Sequence, residues 1–590
     1  MGRWSYGIGD LHGNQLTATV LRGADVLVKT IRELNVKHVF GIQGGSIMTI
    51  YDAFYNVNDV KLFTFKHEQG AIHAADAYAR VLKRPGVVMV TSGPGATNLV
   101  TGLANAYMDS SPVIAITGQV STAILGRDGF QETDIMGVTF PITKFNYMVK
   151  RPNELPSAFR VAYKVAMSGR PGPVLIDVPK DVQAATYTVD EDVSVKVKLD
   201  KFVLPRPRSL DIKKAVELLL DAERPVVLVG GGVYWSGAWN EVIKIAEILM
   251  APIVSTFPGK NSVPNGHALY VGPAGMHGRL EADAALANAD VILALGTRFS
   301  DRTVGRFNEM NEKKIIHIDI DSSEINKNVK STIGIVSDVK VALDEMMKIL
   351  PNVVKKNERF LNWLFSIRKS YENALEALSN GMKFAPWKVL KAIRNSMPAD
   401  SITVTGVGSH QMWCELHWDV YVPGTFITSA GLGTMGFGLP AALGAKIAVK
   451  DKPVLLVDGD GSFQMTMNNL SLIRDYNLPI IIVIFDNRAL MLVKQWQIYM
   501  YSKRIVETEF SQRPDFIKLV NAYDIEGYRP DSYNDIERIV KWAVRNNEPV
   551  LIDVPIDREK DIVLPWVKPG DWLTNAIPPD GMKVDLTWRG

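Results

Sequence analysis

Residues 453–487 read PVLLVDGDGSFQMTMNNLSLIRDYNLPIIIVIFDN. Two short apolar runs, 454–457 and 480–485, flank a segment with helical spacing through Leu470, Ile473 and Tyr476. Runs that are apolar throughout and rich in β-branched residues predict strands buried on both faces of a parallel sheet. A helix between them makes a βαβ unit, and ligands of such sheets sit at the C-terminal strand ends. Asp460 and Asn487 both fall there, beside Gly459 and Gly461. Two oxygen-bearing side chains with glycines between them suit a hard cation that bridges phosphates, hence Mg²⁺. A helix N-terminus following the glycines favours the phosphate charge. A plainer reading of GDGS alone is a tight turn with Asp460 as a helix cap; Asn487 at the next strand end weighs against it.

The spacing of GDG and Asn resembles the thiamine diphosphate (ThDP) motif. That resemblance implies Asp460, the Asn487 side chain and the carbonyl of Ala489 as metal ligands.

Length and composition bound the rest. At 590 residues the chain is too long for one core. It is 47% hydrophobic and 22% charged with net charge +3, the profile of a globular protein. No long run of like charge points to nucleic acid or a membrane surface. Cys414 is the only cysteine, which excludes an intrachain disulfide and fits a reducing, cytoplasmic setting. The N-terminus lacks an apolar signal core, and no apolar run reaches the ~18 residues of a membrane span.

Outward from the opening stretch, the chain alternates strands, glycine turns and helices, which predicts an α/β fold of doubly wound parallel-sheet domains. A flexible lead covers 1–16. A first domain covers 17–190, with strands near 39–41, 62–65, 86–90, 113–117 and 173–178. A charged, β-prone linker, 183–208, leads to a central α/β domain at 205–380, with strands at 225–229, 291–295 and 315–320. An amphipathic helix at 361–378 precedes a third α/β domain at 385–565, and the tail, 566–590, is expected to drape over another surface. The heptapeptide PVLIDVP occurs at 173–179 and again at 549–555. As a generic buried strand it would carry no message; as a repeat it predicts that the first and third domains share one fold, each closing on this strand.

Glu68 follows a predicted strand and opens a helix of Ala and Gly. The helix dipole alone favours Glu there. A carboxyl packed in apolar surroundings also resists ionisation, and so becomes a proton donor near neutrality. ThDP needs such a group to push its aminopyrimidine to the imino tautomer, which then takes the thiazolium C2 proton.

Longer motifs make the resemblance specific. HEQGAIHAADAYAR (67–80), TSGPGATNLVTGLANAYMDSSPV (91–113), FQETD (130–134), RPGPVLIDVPKDVQ (170–183), TRFSDR (297–302), IDID (318–321), GLGTMGFGLPAA (431–442) and GDGSF (459–463) stand in order. Together the chain resembles the catalytic large subunits of the acetohydroxyacid synthase (acetolactate synthase) family over nearly its full length. The resemblance implies Glu68 as the ThDP-activating acid, with Gly45, Gln131 and Lys180 around the reacting carbonyl. It implies His410, Met412, Gly433, Met435, Gly459, Asp460, Gly461, Ser462 and Asn487 as ThDP-binding, Met435 bending the cofactor or simply packing in the core. In the central domain it implies FAD contacts at Arg170, Gly230, Gly231, Gly232, Met276, His277, Thr297, Arg298, Asp319, Asp321 and Asp338. Arg302, Trp496 and Phe130 are its substrate residues, with a surface ion pair to Asp301 or a neighbour as the plainer reading of Arg302 and an ordinary partly buried Trp as that of Trp496.

The implied activity is decarboxylation of pyruvate and its joining to a second 2-oxo acid, pyruvate or 2-oxobutyrate. This is a step of isoleucine and valine synthesis, with ThDP, Mg²⁺ and FAD as cofactors. The implied assembly is a homodimer or homotetramer with the site at the dimer interface, open to a regulatory small subunit. Gln43, Ser409, Asp486 and Met491 depart from the biosynthetic pattern. The last three look closer to the catabolic, flavin-free members, while FQETD and TRFSDR follow the biosynthetic ones. Other members, a pyruvate oxidase or a 2-oxo acid decarboxylase, stay open as readings, as does a non-catalytic homologue acting as a binding partner. The intact Glu68, Asp460 and Asn487 speak against the last.

Overall fold

The computed structural model describes residues 19–189, 204–350 and 358–589. The expected lead at 1–16 and the middle of the expected linker lie outside these residues. Three six-stranded parallel sheets organise the chain. The first runs, edge to edge, through Lys61–Thr64, His38–Ile42, Gly86–Val90, Val113–Gln119, Val174–Pro179 and Phe145–Met148. The third runs through Phe426–Ile427, Ile402–Thr405, Val454–Gly459, Ile481–Asp486, Val550–Pro555 and Glu526–Tyr528. Numbered along each domain, both orders read 2-1-3-4-6-5. The two copies of the heptapeptide occupy the same, fifth place. The repeat is therefore a repeat of fold.

The central sheet differs. Its order is Tyr270–Pro273, Ile253–Ser255, Pro225–Val229, Val291–Leu295, Lys314–Asp319 and Ile333–Val336, that is 3-2-1-4-5-6. This is the order in which a crevice opens between the first and fourth strands, where the winding reverses.

The first and third domains share one core. Helix Glu68–Leu82 packs on helix Gly438–Ala448, and their apolar residues join a single buried cluster. Both helices are rich in Ala and Gly because the backbones nearly touch: a Cβ on Gly444 would lie 2.1 Å from the carbonyl oxygen of Ala74. Arg80, near the end of the first helix, clasps Asp76 (2.7 Å), Asp109 (3.2 Å) and the carbonyl of Thr428 (2.8 Å).

Two expectations need correction. The helix expected through Leu470, Ile473 and Tyr476 is not continuous: two short α-helices, Asp460–Gln464 and Ser471–Asp475, flank a 3-10 turn, Met467–Leu470. Side-chain bonds break it. Thr466 Oγ1 donates to the carbonyl of Gly436 (2.8 Å), and Asn469 donates to the carbonyl of Thr466 (3.0 Å) while accepting from Lys66 N (3.1 Å). The amphipathic helix is longer than read, Glu358–Leu378, and buries Phe360, Leu361, Leu364, Ile367, Tyr371 and Leu375. The tail drapes over this helix and its neighbour Leu280–Asn288. Trp588 stands edge-on to Phe360, and Asn288 Nδ2 donates to the carbonyl of Leu586 (2.7 Å).

Candidate active site

In the first sheet the sequence-predicted residues gather at the C-terminal strand ends. Gly45 follows His38–Ile42, Glu68 follows Lys61–Thr64, and Lys180 follows Val174–Pro179. Glu68 Oε2 accepts from Asn98 Nδ2 (2.9 Å), which fixes the carboxylate at the mouth of the Thr91–Gly95 turn. The carboxyl is half-buried in the single chain, not enclosed by apolar residues as expected, because among the described residues nothing closes over it. Gln131 has a left-handed backbone, φ 61°, and packs against Gly93. Gly45 and Lys180 are exposed, and Phe130 is 88% exposed.

The third sheet carries the other group. Strands Val454–Gly459 and Ile481–Asp486 are parallel neighbours, with Gly459 opposite Phe485, so Asp460 and Asn487 emerge side by side. Asp460 is 1% exposed, and its Oδ2 has no hydrogen-bond partner. Burial, with Asp486 adding to it, pushes its carboxyl up to about 8. A buried carboxylate oxygen without a partner is costly unless a cation supplies one. Asn487 Oδ1 accepts from Ala489 N (3.0 Å) and keeps a second lone pair. These donors fit a hard divalent cation.

Ser462 is buried, and its Oγ accepts from Gly436 N (3.2 Å), tying the GDGS turn to the loop that holds Gly433 and half-buried Met435. That loop is set by the first domain: Asp109 accepts from Ala430 N (3.1 Å) and Gly431 N (2.7 Å), and Thr434 Oγ1 donates to Asn105 (3.1 Å). His410 lies beneath the turn, its Nε2 3.4 Å from Asp458 Oδ1, and burial pushes it down to about 3, so it is neutral at pH 7. The departure at Asp486 has a local partner. Its carboxylate pairs with Arg513, which also stands 3.6 Å from Asp553. Met491, the other departure, is buried at the start of helix Met491–Met500.

Two adjoining cavities lie between the domains. The first, of about 620 Å³, sits at the switch point of the central sheet and is lined by Arg170, Gly231, Gly232, Thr297, Arg298, Asp319 and Asp338. Here the turns after the first and fourth strands touch: a Cβ on Gly230 would lie 2.0 Å from the carbonyl oxygen of Gly296, and one on Gly232 2.7 Å from its Cα. The second cavity, of about 890 Å³, is lined by Met276, His277, Arg302, Asp321, Met412, Gly433 and Trp496. Arg298 and Arg170 border both. Arg170 is tied to Glu324 (2.8 Å) and Ser110 (2.7 Å). Arg302, from the central domain, lies over the ring of Trp496, from the third, at 5.5 Å. Its approach to Asp301, 3.7 Å between exposed side chains, contributes little. Among the described residues, neither cavity is lined by Glu68, Gly45 or Gln131.

Sequence reasoning missed Asn98, Asp109 and Asn105, although all three lie inside the quoted motif 91–113. It also missed Asp561, which no motif marks.

Comparison with known proteins agrees with this geometry. The thiamine pyrophosphate enzyme family matches in three places: its N-terminal TPP binding domain over 21–138, its central domain over 212–346 and its C-terminal TPP binding domain over 406–554. The chain is 42% identical over 572 residues to the "Probable acetolactate synthase large subunit" of Methanocaldococcus jannaschii, covering 95% of each chain. It is 41% identical over 575 residues to the protein of the same name from Methanococcus aeolicus, covering 94% of this chain and 95% of the other. It is 37% identical over 572 residues to "Acetolactate synthase isozyme 3 large subunit" of Escherichia coli K12, covering 94% and 99%. Relatives this similar, matched end to end, show that the chain belongs to the acetolactate synthase large-subunit family of thiamine pyrophosphate enzymes.

Proposed function

We propose that this protein is an acetolactate synthase: it decarboxylates pyruvate and joins the two-carbon fragment to a second 2-oxo acid, giving 2-acetolactate or 2-aceto-2-hydroxybutyrate. What carries this reading is the end-to-end likeness to proteins of that name, with Glu68 and the pair Asp460 and Asn487 at the strand ends of two domains of one fold. Bound ThDP supplies the electron sink that such a decarboxylation needs. Asp460 and Asn487, with the carbonyl of Ala489, would hold Mg²⁺, which would neutralise diphosphate charge, and the N-terminus of the turn after Gly459 favours the same charge. Glu68 supplies the carboxyl for proton exchange, oriented by Asn98. Arg302 offers a forked donor to a substrate carboxylate, and Trp496 forms the wall beside it. With pyruvate, ThDP and Mg²⁺, the product is expected to be acetolactate, and acetohydroxybutyrate is expected when 2-oxobutyrate is added. Acetaldehyde or acetyl phosphate without acetolactate, measured by chromatography, would overturn the assignment.

The central domain is proposed to hold FAD. Supporting this are the 3-2-1-4-5-6 strand order, the glycine contacts at the switch point and the guanidinium of Arg298. That guanidinium borders both cavities and makes no hydrogen bond or ion pair among the described residues, which suits a diphosphate. The purified protein is expected to be yellow and to release one flavin per chain on denaturation. A colourless protein that fails to bind added FAD would remove the flavin and leave the carboligase reading standing.

The active form is proposed to be at least a homodimer. Among the described residues the Glu68 edge is left uncovered, and Phe130, Phe140 and Tyr55 of the first domain are 88%, 75% and 87% exposed. A second copy that brings its Asp460 edge to Glu68 completes the site. The relatives are named large subunits, which supports a regulatory small subunit as partner. Among the described residues, no helix is long and apolar enough to cross a membrane.

A further inference from the structure

Asp561 lies beyond the last strand of the third sheet and outside the matched C-terminal TPP binding domain. It is completely buried, and three donors converge on it. Oδ1 accepts from Trp413 Nε1 (2.6 Å). Oδ2 accepts from Ser409 Oγ (2.9 Å) and from Asn487 Nδ2 (2.7 Å). Ser409 and Trp413 stand four residues apart on one face of helix Ser409–His417, so the helix presents both to the same carboxylate. Asn487 comes from the end of the neighbouring strand.

An Asn side chain has two nearly isosteric ends with opposite hydrogen-bonding character, and its surroundings decide which faces a site. At Asn487 both ends are decided. Its nitrogen faces an acceptor-only carboxylate, and its oxygen accepts from Ala489 N (3.0 Å). The oxygen is thereby held on the side of the 488–490 loop, at the strand end that neighbours the Asp460 turn. An amide at 561 could not serve all three donors at once. An amide there would set its own N–H against either Trp413 or Asn487, and the second clash is relieved by turning Asn487 over.

We propose that Asp561 is a positioning residue for the cation site: it fixes the amide of Asn487 so that the oxygen, not the nitrogen, faces the metal. This rests on the reading of Asn487 as a ligand. It also gives the unusual Ser409 a place, as a second donor to Asp561 Oδ2.

The test uses the full-length protein with saturating ThDP and Mn²⁺ as probe, with free Mn²⁺ read by electron paramagnetic resonance. Loss of such an outer partner typically weakens metal affinity by about 10–100-fold, and Asp561→Asn is expected to do so. Adding Asn487→Asp in that background restores a matched pair, because a carboxylate at 487 accepts from the amide at 561 and shows the cation an oxygen either way round. Affinity is expected to return to within a few-fold of the parent. Ser409→Ala, which removes one donor to Oδ2 but leaves the bond between Asp561 and Asn487, is expected to weaken binding less than Asp561→Asn does. Parental binding by Asp561→Asn, with Asn487→Ala binding weakly, would overturn the positioning role and spare the cation site. Parental binding by Asn487→Ala would instead overturn the ligand reading, and the proposal with it. If Asp561→Asn alone does not fold, the double variant carries the test: binding near the parent supports the proposal, and loss as deep as that of Asn487→Ala overturns it.

Discussion

Glu68→Gln is expected to lower turnover of pyruvate by about 10²–10⁴-fold, the range that a positioned acid or base supplies, while leaving cofactor binding and the fold intact. The substitution keeps the size of the side chain and an oxygen for Asn98 Nδ2 to donate to, so the local geometry survives. What it removes is the exchangeable carboxyl proton. Glu68 is half-buried at the start of a helix whose packing rests on the small residues Ala71, Ala74 and Ala75, and the neutral amide disturbs none of them. The loss therefore falls on kcat, and the thermal shift given by Mg²⁺ and ThDP stays at the parental value. If Glu68→Gln retains activity within tenfold of the parent, the acid role is wrong. If it loses the thermal shift, the residue acts in binding.

Much of this arrangement was legible in the sequence because parallel sheets write themselves in a simple code. Strands buried on both faces are apolar throughout, and the residues after them are those the site uses. PVLIDVP announced the shared fold of the first and third domains because each copy fills the same enclosed place in its sheet. What stayed hidden depends on partners distant in the chain. Asp109 and Asn105 look like ordinary polar residues on a helix until the loop 429–436 is brought onto them. Asp561 sits in REKDIVLP, a stretch with no periodicity or glycine turn to single it out, and only the convergence of Trp413, Ser409 and Asn487 gives it meaning. The burial of Glu68 was over-read for a related reason: sequence reports the apolar helix behind the carboxyl but not whether anything covers its front. The helix expected between the two strands is broken because Thr466 and Asn469 spend their side chains on backbone groups, a competition that apolar spacing cannot register.

Asp460→Asn is expected to make the cofactor-free protein more stable and to shrink the stabilisation that Mg²⁺ and ThDP give. The carboxyl is 1% exposed with one oxygen unpartnered, and its pKa lies at about 8 against an ordinary 3.8. Below pH 3.8 the group is neutral in both the folded and the unfolded chain and costs nothing. Between 3.8 and about 8 the unfolded chain is ionised while the folded chain keeps its proton, so stability falls as pH rises, and above about 8 the full cost is present. At pH 7 that cost has an upper bound of roughly 4 kcal/mol, from three pKa units at about 1.4 kcal/mol each. Asn cannot ionise, so the variant without ligands should melt a few degrees higher than the parent at pH 7, and the gap should narrow towards pH 5. With ligands the gap narrows, because the parent gains more from them. A cation gains most from the carboxylate, and at a ligand concentration of 100 times Kd the parent gains about 2.7 kcal/mol. A roughly hundredfold weaker site would gain only about 0.4 kcal/mol by the same relation. Thermal melts at pH 5 and pH 7, with and without Mg²⁺ and ThDP, read all four arms. A variant that melts lower than the parent without ligands would show that Asp460 stabilises the fold on its own account, and one that keeps the parental gain from Mg²⁺ and ThDP would move the cation elsewhere.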